Sequence, residues 1–406
     1  MTVRKIILIL SFFFFLHPIS VDGLSVNYSF LVFPLGYILM DGKVRRPQKL
    51  FLLLIGLFTL IFIIASMYQY EFFDEGLRRT ISFVLFMSMF SFMVVKIDAT
   101  MIESFKVSIV AIGLYFSLHS MYSFILLGGS SLGFGAKDLV GGQRFGFIYL
   151  LGIWLTYLYQ GHEKLYVLIK YPALLILLVG LFLTFSRASV IGLSGSFVFF
   201  GLVNGLTWLR KPNLKIFLKG LYSIVSVGIL IVLLFQLVPI TFTFFEERLF
   251  SFLLDSSAIM ADLADHESSG GTRVYIVGRI LDYLMHNPLT GSGYLGVWIL
   301  SDDLFGSAHN QYTDVLFRTG LIGFSAFMYL LYLLAKYLYA NDRALFWGFV
   351  GVLLYGMFHE TFKESQGGFV LAFLLGMMSQ TFLKAKHEVV PKDVIAAGAF
   401  RNRKGD

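Results

Sequence analysis

The 406-residue chain has no cysteine, which removes disulfides, iron–sulfur clusters and thiolate metal sites from consideration. It is also poor in charge. Asp, Glu, Lys and Arg make up 14% of it, against about 25% in soluble domains. The central parts of its long apolar runs hold no Asp or Glu. Its basic residues form no stripe with interleaved aromatics, so a net charge of +7 and a pI near 9.3 do not point to nucleic acid.

What is abundant is apolar. Hydrophobic residues make up 57% of the chain, more than one soluble core can hide. They come in runs long enough to cross a bilayer, which takes about 20 helical residues. Breaks at charges, Gly and Pro delimit about twelve runs, predicting an all-α polytopic membrane protein. The first six lie near 6–21, 24–40, 50–69, 80–95, 107–127 and 145–160. The second six lie near 166–184, 188–209, 216–239, 310–335, 344–359 and 368–383. The first run resembles a signal peptide, with Arg4 and Lys5 before Phe12 to Phe15, but no clear small-residue cleavage site follows, which favours a retained helix. Most of the 45 phenylalanines are expected to face lipid.

Placing the N-terminus inside and alternating the spans puts 22 of the 32 basic residues on the inner side, as the positive-inside rule requires. Both termini are then cytoplasmic. Residues 1–239 hold nine spans, 240–309 form a long outer loop, 310–384 hold three more spans, and 385–406 form a basic inner tail. The inner set is 15 Lys and 7 Arg; the outer set is 2 Lys and 8 Arg, among 17 acidic residues. Arginine is the base suited to gripping phosphate or carboxylate with a planar, always-charged fork. An outer face that is net acidic yet selects arginine points to an anionic ligand handled there.

Three segments carry candidate residues. LTFSRASVIGL puts Arg187 at the outer junction of two strongly apolar helices, where an arginine is costly unless paired or facing a polar cavity. In the outer loop, GGTRVYIVGRILDYLMHNP reads as an amphipathic helix with Val274, Ile276, Val277, Ile280, Leu281 and Leu284 as its apolar contacts. Thr272 is its expected cap and Pro288 its stop. Arg273 falls in the first turn of that helix, where the macrodipole opposes a cation unless an anion binds both. AHNQYTDVLFRTGLIGF then places His309 at a helix entrance, with Asn310 or Ser307 as cap. That setting disfavours imidazolium and keeps the ring able to accept a proton. Arg144, in GGQRFGF, is a weaker case resembling Arg187.

In this order and sidedness, with the long loop between them, these elements resemble the O-antigen ligase and polymerase family of bacterial polysaccharide assembly. The motif resemblance covers about 80 residues, and the hydropathy resemblance nearly the whole chain. It implies a glycosyltransferase of the bacterial inner membrane, without metal or cofactor, that works at the outer face and inverts the transferred linkage. The donor would be a glycan on undecaprenyl diphosphate, and the acceptor either another lipid-linked repeat or lipid A–core. Polymerase is favoured, because nothing in the chain looks tailored to lipid A–core. Position by position, Arg187 and Arg273 match family arginines assigned to the diphosphate, and His309 matches the assigned base. Arg144 stands where a further arginine often occurs, but the asparagine–proline pair that commonly follows it is missing here.

The chemistry is consistent with this. A diphosphate leaving group gains negative charge as the glycosidic bond breaks, and arginines stabilise it without metal. The nearest thing to a metal-binding carboxylate pair, Asp302–Asp303, is adequately explained as a solvated loop. His359 with Glu360 is a fallback base, and His119 reads as a packing histidine. A flippase-like transporter of polysaccharide or lipid-linked oligosaccharide is the main rival. Coupled transporters, however, keep carboxylates inside their spans, whereas Asp314 and Glu360 lie at outer ends. A non-catalytic scaffold of an envelope complex is a third reading.

Overall fold

The computed structural model describes residues 3–16, 20–21, 24–25, helical positions at 53, 56–57, 60, 63–64 and 87, then 97–126, 143–159, 164–184, 186–210, 269–293, 296–300 and 308–388. Nearly all of the expected spans at 24–40, 50–69 and 80–95 lies outside these residues. So do the span at 216–239, the loop parts 240–268 and 301–307, and the tail from 389.

The described residues form nine α-helices: α1 (Val3–Leu16), α2 (Ala99–Leu126), α3 (Gly146–Tyr157), α4 (Lys164–Leu183), α5 (Arg187–Arg210), α6 (Ser269–His286), α7 (Gln311–Asn341), α8 (Arg343–Tyr355) and α9 (Ser365–Glu388). Short 3₁₀ turns lie at Gln143–Phe145 and Gly296–Ile299. Among the described residues the protein is all-α apart from a two-residue antiparallel ladder, Ser20–Val21 with Leu24–Ser25. That ladder shortens the first expected run at its end and makes the first two residues of the second extended. The helix ends at Leu16, because Pro18 disfavours helical geometry before it, and Leu24 is extended.

Among the described residues, three helices are long and apolar enough to cross a membrane: Ala99–Ile125, Ala188–Thr207 and Gln311–Asn341. Their outward faces are bare hydrocarbon, with Ile125 72% exposed and Leu118, Leu202, Leu206, Ile322 and Tyr329 also uncovered. An apolar surface of this extent on helices of this length suits lipid contact. Helix α3 is a different case. It has only 12 residues, about 18 Å of helix, and every residue from Gly146 to Thr156 is buried. It is the axle of the bundle, packed against α2, α4 and α8, with α5 alongside.

Close approach around this axle depends on residues without side chains. Gly192 of α5 faces the backbone of Gly351 in α8, and a Cβ there would stand 2.8 Å from the Gly351 carbonyl. The core is also ring-rich. Trp154 stacks on Phe197 at 4.3 Å and donates its indole N–H to Ser196 Oγ at 2.9 Å, so its one polar atom is satisfied. Phe105, Phe116, Phe147, Phe369 and Phe373 are buried too. The expectation that phenylalanine would mainly face lipid fails for them, because interlocking rings fill the gaps between helices.

Helix α1 is part of this core. Phe12 meets Phe105 and Phe373 edge-on at 5.8 and 5.4 Å. Ser108 Oγ donates to the Ile9 carbonyl at 3.0 Å, and Arg4 pairs with Asp98 at 2.8 Å. Near that end of the bundle, Lys106 pairs with Asp342 at 2.6 Å, and Asp342 caps α8 by accepting from Leu345 N–H. Arg4, Lys106 and Arg343 therefore lie at one end of the bundle.

Candidate functional site

The other end is built from four helix termini. Ser186 starts α5: its side chain accepts from Ser189 N–H at 3.3 Å, a standard cap. Arg187 is thus the first helical residue. Gly146, the first residue of α3, lies so close to Ser189 Oγ and the Tyr355 ring that any Cβ would collide with both. The Tyr355 ring stacks on His359 at 5.0 Å, nearly parallel. Gly356, next along, accepts the Gln311 N–H at 2.8 Å. Gly146 is two residues past Arg144, Ser189 two past Arg187 and Gln311 two past His309. The structure thus brings these three sequence-predicted segments together around Tyr355 and Gly356.

The fourth candidate arrives on α6. Ile276, Ile280 and Leu284 form its buried stripe against Val297, Ala308 and Phe317, with Tyr283 edge-on to Phe317 at 5.2 Å. The expected apolar face holds for these three residues, but Leu281 is 54% exposed and Tyr283 takes its place. The helix stops before Pro288 as expected. It begins earlier, at Ser269, so Thr272 is internal and Arg273 is its fifth residue. Arg187, first on its helix, is therefore the arginine that stands at the positive end of a helix macrodipole, whereas Arg273 lies past the first turn. The sequence reading missed this because the Gly270–Gly271 pair looks like a break.

The loop after α6 is joined to α7 through a deliberate interruption. Gly320 has φ 62 and ψ −169, far from helical. Leu321 and Ile322 therefore donate not to their own helix but to the Pro288 and Leu289 carbonyls, at 2.8 and 3.4 Å. The released carbonyls of Phe317 and Arg318 accept from Ser292 and Gly293, at 2.7 and 3.0 Å. Four backbone groups exchange partners with none lost, as buried backbone requires. This splice is what the glycine at 320 makes possible. It also separates the polar start of α7, where Gln311 and Asp314 are buried, from its apolar remainder, which exposes Ile322 and Tyr329 and buries Leu331, Leu334 and Leu338.

His309 sits in the turn before α7. Among the described residues it is the one non-glycine with positive φ, at 52. The left-handed conformation costs an L-residue about 1–2 kcal/mol. The side chain is exposed, between buried Ala308 and buried Gln311. Asn310 is the cap, its side chain accepting from Tyr312 and Thr313 N–H at 2.9 and 3.1 Å.

Beneath this turn lies a charged network that sequence reasoning did not assemble. Glu360 is buried; it accepts the Ala308 N–H and pairs with Lys363 at 2.5 Å. Lys363 reaches Asp314 at 3.8 Å, and Asp314 holds Arg318 at 2.7 Å. Arg318 thus belongs to an internal pair rather than standing ready for an external anion. Glu360, expected to assist His359, instead bonds the backbone beside His309. The i,i+3 spacing of Glu360–Lys363 and the i,i+4 spacing of Asp314–Arg318 were legible in the sequence. Their meeting was not.

Burial pushes the Glu360 carboxyl above the ordinary range, as does the like charge of Asp314; Lys363 and Arg318 oppose the shift. An acid whose folded pKa is raised binds its proton more tightly when folded. Stability is therefore highest at low pH and is lost as pH rises through the folded value. The window opens at the ordinary glutamate value, about 4.3. Thermal unfolding in detergent should show wild type losing Tm upward from there, with Glu360→Gln giving a flatter profile. Equal slopes would refute this account of Glu360.

The placements of the remaining candidates are simpler. Arg144 is exposed in the turn leading into α3. Among the other histidines considered, His119 lies within α2 with its ring 6.2 Å from Tyr115. Three further arginines of the expected outer set, Arg78, Arg79 and Arg248, lie outside the described residues, as does the pair Asp302–Asp303.

A comparison with protein-family models matches residues 172–328 to the family described as O-antigen ligase. The matched stretch runs from within α4 to within α7 and contains Arg187, Arg273 and His309; Arg144 and the turn with Glu360 lie beyond it. A search of curated proteins finds no match. With three apolar helices of membrane-crossing length among the described residues and this match, the chain reads as a helical membrane protein whose central segment, residues 172–328, is similar to the O-antigen ligase family.

Proposed function

We propose that the chain transfers a glycan from an undecaprenyl-diphosphate carrier to an acceptor sugar on the outer face of a bacterial inner membrane, during surface polysaccharide assembly. The observation that carries this reading is the meeting of the segments bearing Arg144, Arg187 and His309 at one bundle end, with the Arg273 helix packed on α7 beside them. In the proposed topology about twelve spans put that end outside and both termini in the cytoplasm.

As the glycosidic C–O bond breaks, charge gathers on the departing diphosphate. Arg187 and Arg273 stabilise it, assisted by Arg144, and no metal is required. His309 takes the proton of the acceptor hydroxyl as the new bond forms on the opposite face of the sugar, inverting the linkage. A terminal repeat on a second carrier is the favoured acceptor, which makes the reaction a polymerisation; lipid A–core is the alternative. A solvent-side position fits both, because acceptor and diphosphate are polar while the polyprenyl tail stays in lipid.

The reading is tested by the lipid-linked glycans of cells lacking the protein. Single repeats left on carrier indicate polymerase, and full-length chains left on carrier indicate ligase. Glycan precursors retained on the cytoplasmic side would make the protein a transporter. Among variants, Arg187→Ala and Arg273→Ala should each lower the transfer rate by about 10²-fold, with Lys replacements intermediate because the charge stays and the fork is lost. Full activity in both Ala variants would remove them from the site. Arg144→Ala should have the smallest effect of the three.

A further inference from the structure

The segment from Ala308 to Gln311 is fastened on both sides of His309. On one side the Ala308 N–H donates to Glu360 Oε1. On the other, Gln311 N–H donates to the Gly356 carbonyl at 2.8 Å, while the Gln311 side chain accepts Phe362 N–H at 2.6 Å. All three bonds end on the turn between α8 and α9, residues 356–362, and both fastened residues are buried. His309, between them, is exposed and left-handed. A backbone state of this kind persists only where its surroundings over-determine it, and such states gather at functional sites.

We infer that Gln311 and Glu360 are positioning residues, forming a two-point clamp that holds the His309 backbone so that the imidazole is presented at one orientation to the acceptor. This rests on His309 being the base. The clamp is anchored in depth: Lys363 holds Glu360, also reaches Asp314, and Asp314 holds Arg318. Arg318 lies directly against Gly296, at the start of the 3₁₀ turn that α6 packs upon. What matters at Glu360 is the acceptor oxygen more than the charge, since its partner at His309's neighbour is a neutral N–H. At Gln311 it is the side-chain oxygen that ties α7 to Phe362.

The test uses the full-length protein in lipid nanodiscs with the lipid-linked glycan extracted from cells lacking it, following release of undecaprenyl diphosphate. Gln311→Met and Glu360→Met keep size and remove the acceptor. Each should lower kcat by about 10- to 100-fold, the scale of a slightly misplaced catalytic group. KM for the donor should move by less than about twofold, because the diphosphate contacts are elsewhere. Glu360→Gln, which retains an acceptor oxygen, should recover most of the rate. Wild-type kcat in both Met variants overturns the clamp while leaving His309 as base. So does an equal loss in Glu360→Gln and Glu360→Met, which would make charge the operative feature. A Met variant that fails to fold is decided by the Gln variant together with Gln311→Met. Wild-type turnover in His309→Ala removes the base itself, a failure of the functional reading that the other variants do not produce.

Discussion

Replacing His309 with alanine is expected to lower glycan transfer by about 10²- to 10⁴-fold, the range for loss of a general base. The protein should still reach the membrane and still bind donor. The exposed ring buries little, and the fold around it is held by the backbone bonds of Ala308 and Gln311 and by the Asn310 cap. Alanine at a left-handed position keeps the strain that histidine already bears. The expected signature is therefore a loss in kcat with nearly unchanged expression, Tm and donor KM. The rival base, His359, makes a different prediction. Its ring is stacked on buried Tyr355, so His359→Ala should perturb packing first. A dead His359→Ala beside an active His309→Ala would move the chemistry to that stack and leave the family assignment intact.

The second large effect is expected at Gly320. Its φ and ψ lie in a region open essentially to glycine alone, and a Cβ would run into the Leu289 carbonyl. Gly320→Ala should therefore expel the 288–293 loop from α7 or force the helix to close across the gap. Either outcome costs the four exchanged backbone bonds, two of them donated by the loop and two accepted by it. A destabilisation of about 3 kcal/mol or more is expected, in the class of strained backbone sites. Because α6 packs on the start of α7, Arg273 would be displaced as well. Limited proteolysis should show new cleavage between α6 and α7, and transfer should fall with it. Wild-type resistance and activity in Gly320→Ala would mean that the splice tolerates a side chain and is not what holds α6 in place.

Gly320 shows where reading the sequence stops. A glycine in a long apolar run permits close helix packing, a kink or nothing at all, and only the partners of Leu321 and Ile322 distinguish these. Asn310 is the opposite case. Its capping role follows from local rules, because a side-chain oxygen one position before a helix has its donors within the next three residues. Helix α6 lies between the two. Its apolar period predicted the stripe of Ile276, Ile280 and Leu284 and the stop at Pro288. Its start was misplaced because packing carried the helix through two glycines that propensity alone would exclude.

The candidate residues divide in the same way. Arg187, Arg273, His309 and Arg144 were legible one by one, because a cation or imidazole at the edge of an apolar run is conspicuous. That Gly146, Ser189, Tyr355 and Gln311 stand shoulder to shoulder was not, since they come from segments far apart in the chain. The clamp on His309 was equally hidden, as its bonds join residues 51 and 52 positions apart.

By itself, then, the sequence determined that this protein lives in a membrane, that it is helical, and which polar residues stand at span ends. Those properties depend on hydrophobicity and local geometry, which act over a few residues. Tertiary structure alone decided that α3 is enclosed, that α7 is interrupted, and that a buried charge network underlies His309. Each of these depends on which distant backbone and side-chain groups satisfy one another once lipid and neighbouring helices have excluded water.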